Sequence, residues 1–502
     1  MGTIRPVRAL LALTLTASAV LLGSTILNVA LPAMHDAIDA GTTAQQWILN
    51  AYTLTFAGFL LVAGNAGDRF GLKRLLVWGT AAFAVTTAVA GLVDSVVWVV
   101  VFRALMGIAA AAIMPTTLAV ILRSFPAQDR ARAIAVWAAS SGVAISLGPL
   151  LGGAMLSAGL WWGSVLELVA ALAVLGLVAT IAWIPTIDGD VDAGELRMVP
   201  VAGSLAGISL LILGFLHANE GGWGAVGTWL PALAGVVVLA GLVVLEVRHR
   251  APLVDVALFR HASFTVAAIA LTLGSFVLFG YMYFTTFYLQ VDQGYTPLQT
   301  GLLLIPLSAG LVVGAPLSRR VADRIGAQFA VAAGLAAMTI AFVGVLGLGA
   351  DSDPVWFMAD AFVLQLGMAF VLAPGTTLAA STVPPERAGA GSALLNTLRQ
   401  LGSALGVAVL GSLLWSQYAD SVRARLAEAP AELREAAADS LASGLGTGNP
   451  VATQAAGAAF LDSMHTSALV AAAVCFAALL ITVLVRRPRA RVVEPEMVSA
   501  TA

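Results

Sequence analysis

The chemistry open to this chain lies in placed charges rather than in nucleophiles. Residues Gly64 to Arg74 read Gly-Asn-Ala-Gly-Asp-Arg-Phe-Gly-Leu-Lys-Arg. Asp68, Arg69, Lys73 and Arg74 thus sit on a tight turn flanked by Gly64 and Gly71, between two long apolar runs. Four charges cannot enter hydrocarbon, so the turn belongs at a membrane surface with a spanning helix on either side. Asp68-Arg69-Phe70-Gly71 is echoed 255 residues later as Asp323-Arg324-Ile325-Gly326, again directly after an apolar stretch containing small residues. The echo marks an internal repeat. Two like halves, each with a glycine-hinged charge cluster, suit bundles that rock about a central site. For either copy alone, a plain basic loop is the simpler alternative.

No catalytic or cofactor pattern accompanies these charges, so an enzyme is not expected and neither is a cofactor. There is no phosphate-cradling Gly-x-x-x-x-Gly-Lys-Ser/Thr loop to use ATP, and the five histidines lack metal-ligand spacing, so no metal site is expected. Cys475 is the only cysteine, which excludes an internal disulfide. The net charge of −2 gives no footprint for nucleic acid.

The elements that must hold the charges are membrane helices. Of 502 residues, 60% are hydrophobic and 10% charged, against about 25% charged in soluble domains. Apolar stretches of spanning length fall near 9–31, 45–66, 75–94, 97–122, 131–157, 161–184 and 199–217, then 226–247, 263–290, 299–318, 328–349, 355–378, 388–415 and 464–485. The first run is too long for a secretion-signal core and reads as a span. Of the 25 basic residues, twenty fall on one side of the resulting topology, Arg103 and Arg399 lie within spans, and Arg423, Arg425 and Arg434 fall in the segment 417–463. By the positive-inside rule the twenty mark the cytoplasmic side, with both termini on it. The expected fold is therefore an all-α membrane protein of 14 spans arranged 6+2+6. The parts are a six-helix bundle over 1–185, linkers and two extra helices over 186–262, a second bundle over 263–485 and a tail over 486–502. Segment 417–463 has the composition of an external surface helix.

Two spans carry further markers. Arg103, in Arg103-Ala-Leu-Met-Gly107, lies about five residues inside the external end of span four, where an unpaired arginine costs about 3 kcal/mol. It needs a partner or a route to snorkel. Span five contains Gly142 and then Gly148-Pro149-Leu-Leu-Gly152-Gly153, small residues for close helix contact around a proline kink, or for ordinary packing.

With these motifs the chain resembles the major facilitator superfamily, and within it the fourteen-helix drug:proton antiporter family of multidrug and antibiotic exporters. The likeness covers nearly the whole chain and implies the major facilitator fold. It is carried by Gly64 to Arg74, by Arg103 with Gly107, and by Gly148 to Gly153, which matches the family's antiporter motif. Thr25-Ile-Leu-Asn28-Val-Ala-Leu-Pro32 and Asn396-Thr-Leu-Arg399-Gln400-Leu-Gly402 are also family-like. The resemblance implies proton-driven export of lipophilic small molecules by alternating access, from a monomer in a bacterial inner membrane. Gly64, Asp68, Arg69, Gly71, Lys73, Arg74, Asp323, Arg324 and Gly326 would then serve as gate residues, and Arg103 would couple protonation to the switch.

One departure matters. Where the family usually has a first-span aspartate two residues before the threonine, this chain has Gly23. Glu167 in span six and Asp360 in span twelve are the clearest replacements, since a carboxyl withdrawn from water can load and release protons; each could equally be a structural partner for Arg103. Span nine is ringed with aromatics, including Tyr283 and Phe287, which could form a substrate wall or an ordinary packed helix. Asn28, Asn50, Gln365, Asn396, Arg399 and Gln400 are the polar groups that the resemblance places around the central path, although each amide could be interhelical glue. Without an acid at Gly23, a dedicated natural-product exporter with a neutral or anionic substrate is the alternative transporter. A non-transporting sensor or scaffold is the alternative outside transport.

Overall fold

The computed structural model describes residues 6–187, 198–248, 256–383 and 388–485. The tail expected at 486–502, residues 188–197 of the linker, and the side chains of Gly64, Asp68 and Gly142 lie outside the described set. The helices are α1 (Pro6–Thr25), α2 (Leu31–Ile38), α3 (Thr42–Phe70), α4 (Leu72–Leu92), α5 (Val96–Ser124), α6 (Ala127–Ser157), α7 (Ser164–Trp183), α8 (Met198–Gly221) and α9 (Val226–Arg248). They continue as α10 (Ala262–Phe287), α11 (Pro297–Leu303), α12 (Ile305–Ile325), α13 (Ala327–Gly344), α14 (Pro354–Ala380), α15 (Ala388–Arg425), α16 (Ala431–Asp439), α17 (Leu441–Gly446) and α18 (Pro450–Leu484). No strand occurs among the described residues. Among the described residues, twelve helices are long and apolar enough to cross a membrane. Helices α3 and α6, of 29 and 31 residues, match them in length.

The internal repeat is visible in the packing. In the first half α1 packs on α5, α6 and α7, while α5 also packs on α3 and α4, and α4 on α7. In the second half α10 packs on α14, α15 and α18, while α14 also packs on α12 and α13, and α13 on α18. Each pairing in one half has its counterpart in the other. The turns echo each other too: Gly71 has φ 91°, ψ 133° and Gly326 φ 93°, ψ 150°, and each donates its N–H four residues back, to Gly67 O (3.1 Å) and Ala322 O (2.8 Å). Two residues beyond each glycine, a donor caps the last helix of its half. Lys73 Nζ reaches Ile181 O at 3.1 Å, and Gln328 Nε2 reaches Thr482 O at 2.6 Å. Frayed helix-end carbonyls need such donors.

Helices α8 and α9 pack on each other, and α8 lies across the seam between the halves. Ile208, Ile212 and Leu216 are buried against Leu54 of α3 and Ala404 and Ala408 of α15.

Three expectations need correction. The first span, expected as one helix over 9–31, breaks at residues 26–30 into a tighter turn and resumes as α2. The spans expected over 388–415 and 464–485 are longer, because α15 runs to Arg425 and α18 starts at Pro450. Their extra turns are joined by an Arg425–Asp462 pair at 2.5 Å and carry a cap made of α16 and α17, where the Tyr418 hydroxyl of α15 donates to Ala437 O of α16 at 2.8 Å.

Alanine at Gly71 or Gly326 would be forced into backbone territory that costs about 1–3 kcal/mol. Each single replacement should therefore lower the melting temperature of the purified protein, and the double replacement should lower it further.

Candidate functional site

The break in the first helix organises the polar interior. Where a helix stops inside an apolar medium its carbonyls lose their partners, and each must find another donor. Around this break side chains donate to backbone carbonyls. Tyr52 Oη donates to Val20 O (3.1 Å), Arg103 Nη1 to Gly23 O (3.1 Å) and Asn28 Nδ2 to Thr25 O (3.0 Å). Gln290 Nε2 donates to Val29 O (3.1 Å), and Gln45 Nε2 to Leu31 O (3.3 Å) and Ala40 O (2.9 Å). Arg103 also donates its Nε to Ile48 O at 3.0 Å, and its guanidinium lies 4.5 Å over the Tyr52 ring. It is 1% exposed, so it does not snorkel. Its partners are two carbonyls and a ring face, and it makes no ion pair with Glu167 or Asp360.

The usual position of the first-span acid is thereby accounted for. A Cβ on Gly23 would stand 3.2 Å from Val169, 3.3 Å from Phe83 and 3.9 Å from Met106. The position faces the packed interior of the first half, and its carbonyl holds Arg103.

The span-five motif fits against the same break. Thr25 Oγ1 donates to Ile145 O of α6 at 3.1 Å. Any side chain on Gly148 would collide with the Thr25 hydroxyl, and one on Gly152 would stand 3.0 Å from Ile26 Cγ1. Gly153 faces the other half, where a Cβ would strike the Pro297 carbonyl; reciprocally, a Cβ on Gly301 would sit 2.7 Å from Pro149 O. Ser157 Oγ accepts from Leu298 N at 2.9 Å. These contacts join α6 to α11 backbone to backbone, at and toward the end remote from Arg69 and Arg74, hereafter the far end.

Helices α3 and α15 close the seam beside them. The Gln46 amide presses on Gly411 where the Tyr283 ring also approaches, and Thr397 Oγ1 donates to Ala57 O at 3.4 Å. Both amide atoms of Asn50 are buried without a hydrogen-bond partner.

The remaining expected site residues are dispersed. Asp360, 7% exposed, accepts from Tyr281 Oη at 3.2 Å, within the rings of Phe284, Phe342 and Phe357 that pack about Tyr281. Glu167 lies at the α4–α7 contact, where its Oε1 is the near neighbour of Gly91, and that oxygen has no hydrogen-bond partner. Tyr283 and Phe287 are buried rather than lining an open wall: Trp415 Nε1 donates to Tyr283 Oη at 3.0 Å, and Phe287 meets Trp415 edge-on at 5.1 Å. Gln365 lines a small cavity with Pro149, Met282, Leu304, Leu307 and Ser308. On α15, Asn396 is exposed while Arg399 and Gln400 are partly so, and Arg399 Nε has no hydrogen-bond partner. Arg69, Arg74, Asp323 and Arg324 are exposed at the basic end. Sequence reasoning missed Gln45 and Gln46. Adjacent glutamines at 45 and 46, inside a spanning stretch, were the available signal.

Comparison with known proteins agrees with this geometry. A family model described as Major Facilitator Superfamily matches residues 13–407. The tetracenomycin C resistance and export protein of Streptomyces glaucescens is 32% identical over 507 aligned positions, covering 96% of this chain and 92% of that protein. The multidrug efflux pump LfrA of Mycolicibacterium smegmatis is 31% identical, covering 94% and 95%. Among solved structures, a bacterial homolog of the human lysosomal transporter Spinster, inward-facing and occupied, superposes with a TM-score of 0.66 at 17% identity, covering 96% of this chain and 98% of that one.

Gln290 is the one donor to the break, among the five just named, that comes from the opposite half. Gln290→Met keeps its bulk and removes the bond, worth about 1 kcal/mol net. The far end should then open about fivefold more often, read as faster labelling of a cysteine placed at Ser157.

Proposed function

Because this chain belongs to the Major Facilitator Superfamily, and is a multi-pass membrane transporter and not an enzyme, we propose that it is a proton-coupled antiporter. It exports lipophilic drugs or antibiotics from a bacterial cell by alternating access. The observation that carries this reading is the seating of Gly148, Gly152 and Gly153 between the broken first helix and α11. A seam formed by glycine, proline and backbone can seal without ionic locks and part without leaving charges bare. The resistance and export roles of the two named relatives support the class of substrate.

On this reading α3 and α6 join the twelve apolar helices as spans, giving fourteen in the order 6+2+6. The basic end with both termini is cytoplasmic, and the structure described is closed to the outside. Asp68 with Arg69, and Asp323 with Arg324, lock the opposite state by pairing across the cytoplasmic interface. Arg103 fixes the break against α3 and α5, so its substitution would loosen the switch rather than remove a proton site. Asp360 with Tyr281 carries the proton, because it is the more buried of the two acids and lies within a spanning bundle; Glu167, at an α4–α7 contact, is the second candidate. ATP, metals and nucleic acid play no part, and the chain works as a monomer.

A specific observation favours a narrower version. With Gly23 packed shut and its carbonyl committed to Arg103, the position of the usual first-span acid offers no carboxylate to a cationic drug. A self-resistance exporter for a neutral or anionic natural product fits that arrangement.

Everted vesicles energised by respiration should accumulate fluorescent lipophiles, and collapsing the pH gradient should abolish uptake. Asp360→Asn should retain binding but lose gradient-driven uptake, falling by tenfold or more (about 1.4 kcal/mol per tenfold). Unchanged uptake in Asp360→Asn combined with Glu167→Gln would remove both acids from the mechanism. Asp68→Asn should insert normally and export little; normal efflux at normal expression would refute the lock.

A further inference from the structure

The hairpin of α8 and α9 stands outside the twofold pattern of the halves, and its contacts say which half carries it. Its two helices interlock backbone to backbone. A Cβ on Gly207 would stand 3.2 Å from Gly235 O, one on Gly235 would stand 2.9 Å from Leu211 N, and one on Gly214 would stand 2.8 Å from Ala232 N. Helices packed this closely shift together or not at all, so the hairpin moves as one piece.

Both ends of that piece are fastened to the second half. At the far end Trp223, in the turn between α8 and α9, donates its Nε1 to Ser416 Oγ of α15 at 3.0 Å, and Trp229 Nε1 steadies the turn by donating to Trp223 O at 2.7 Å. At the basic end α9 packs on the turn Val256–Arg260. That turn is pinned to α10 by Thr265 Oγ1, which donates to Phe259 O at 2.7 Å, and by the edge-on pair of Phe259 with Phe264 at 5.4 Å. Between the two ends Ile208, Ile212 and Leu216 are buried with Ala404 and Ala408 of α15. Toward the first half the contact changes character. Leu54 of α3 joins the same apolar cluster, and the Leu205 side chain fills the notch at Gly58 of α3. Apolar contact is non-directional and survives a change of register while the surfaces stay covered, whereas a hydrogen bond holds in one geometry.

Resting on the alternating-access reading above, we propose that α8 and α9 travel with the second half and that α3 slides along α8 when the halves rock. The hairpin is then a sliding seal, which keeps the α3–α15 side of the seam covered from lipid in both arrangements. Trp223 and Ser416 anchor the seal, and the notch at Gly58 is part of the track on which it runs.

The test ties the hairpin to each half in turn, in the full chain with Cys475→Ala removing the native thiol. Gly58→Cys with Leu205→Cys bridges α8 to α3: a Cβ at residue 58 would lie 2.9 Å from Leu205 Cγ, within disulfide reach. Leu54→Cys with Ile212→Cys, joined by a short bis-methanethiosulfonate, supplies a second bridge to α3. Trp223→Cys with Ser416→Cys, joined by the same linker, ties the hairpin to α15. Opening of the far end is read as hydrogen exchange of the α11 amides, which the contact with α6 covers. The bridge to α15 should leave that exchange within about twofold of the unbridged protein, whereas either bridge to α3 should slow it by about tenfold or more. Reducing the bridges to α3 should restore it, which separates a trapped protein from a misfolded one. The proposal is overturned if fully formed bridges to α3 leave the exchange unchanged, or if the bridge to α15 slows it as much. Vesicle uptake separates the two claims. The expected exchange pattern without uptake of any lipophile would defeat the export reading and leave the sliding seal standing, whereas uptake that persists through both bridges to α3 would do the reverse.

Discussion

The buried polar groups that meet Arg103 are arranged around one interruption of one helix. Ending α1 at Thr25, deep in an apolar bundle, strips several carbonyls of their helical partners, and the hydrocarbon around the protein offers no water to replace them. Tyr52, Arg103, Asn28, Gln45 and Gln290 make up the deficit. The guanidinium, with its fixed fork of donors, suits this work because it spans two carbonyls on different helices while its face rests on an aromatic ring. A lysine would bring the charge without the reach.

The same interruption explains why α6 is built of small residues at its far end. At the break Thr25 and Ile26 lie against α6, and glycine at 148 and 152 leaves room for them. Pro149 between them presents its carbonyl to Gly301 of the other half. A short physical chain therefore runs from Arg103 through the break to α6 and on to α11. Each link is a backbone contact or a hydrogen bond, so a shift at one end must be accommodated at the next.

Much of this was written in the sequence, but not evenly. The repeat was legible because Asp68-Arg69-Phe70-Gly71 and Asp323-Arg324-Ile325-Gly326 share a backbone demand that only glycine meets readily, and the two turns adopt nearly the same angles. The glycines of α6 were legible because close approach leaves a gap in side-chain size. The break itself was not: residues 26–30, Ile-Leu-Asn-Val-Ala, are as apolar as the helix around them, and hydropathy cannot tell a tight turn from a regular one. Lys73 was read as a gate charge, but its ammonium caps Ile181, a role visible only once α7 ends beside it. The aromatics of α10 looked like a wall because periodicity alone does not say what stands opposite; in the fold they are filled in by Trp415, Phe342 and Phe357. The extension of α15 and α18 was hidden because their outer turns are polar, and polarity reads as loop.

That extension has a practical side. At about 1.5 Å per residue, α15's 38 residues reach well past a hydrocarbon core about 30 Å thick, and the small domain they carry rises from one half only. A 51.3 kDa bundle with twofold pseudo-symmetry is nearly featureless inside a detergent micelle, and its projections are easily confused with their own rotated images. Here the protruding cap breaks that degeneracy. It gives single-particle images a built-in mark of which way is up and which half is which, and it offers a rigid, water-exposed epitope for an antibody fragment that need not touch the transport path.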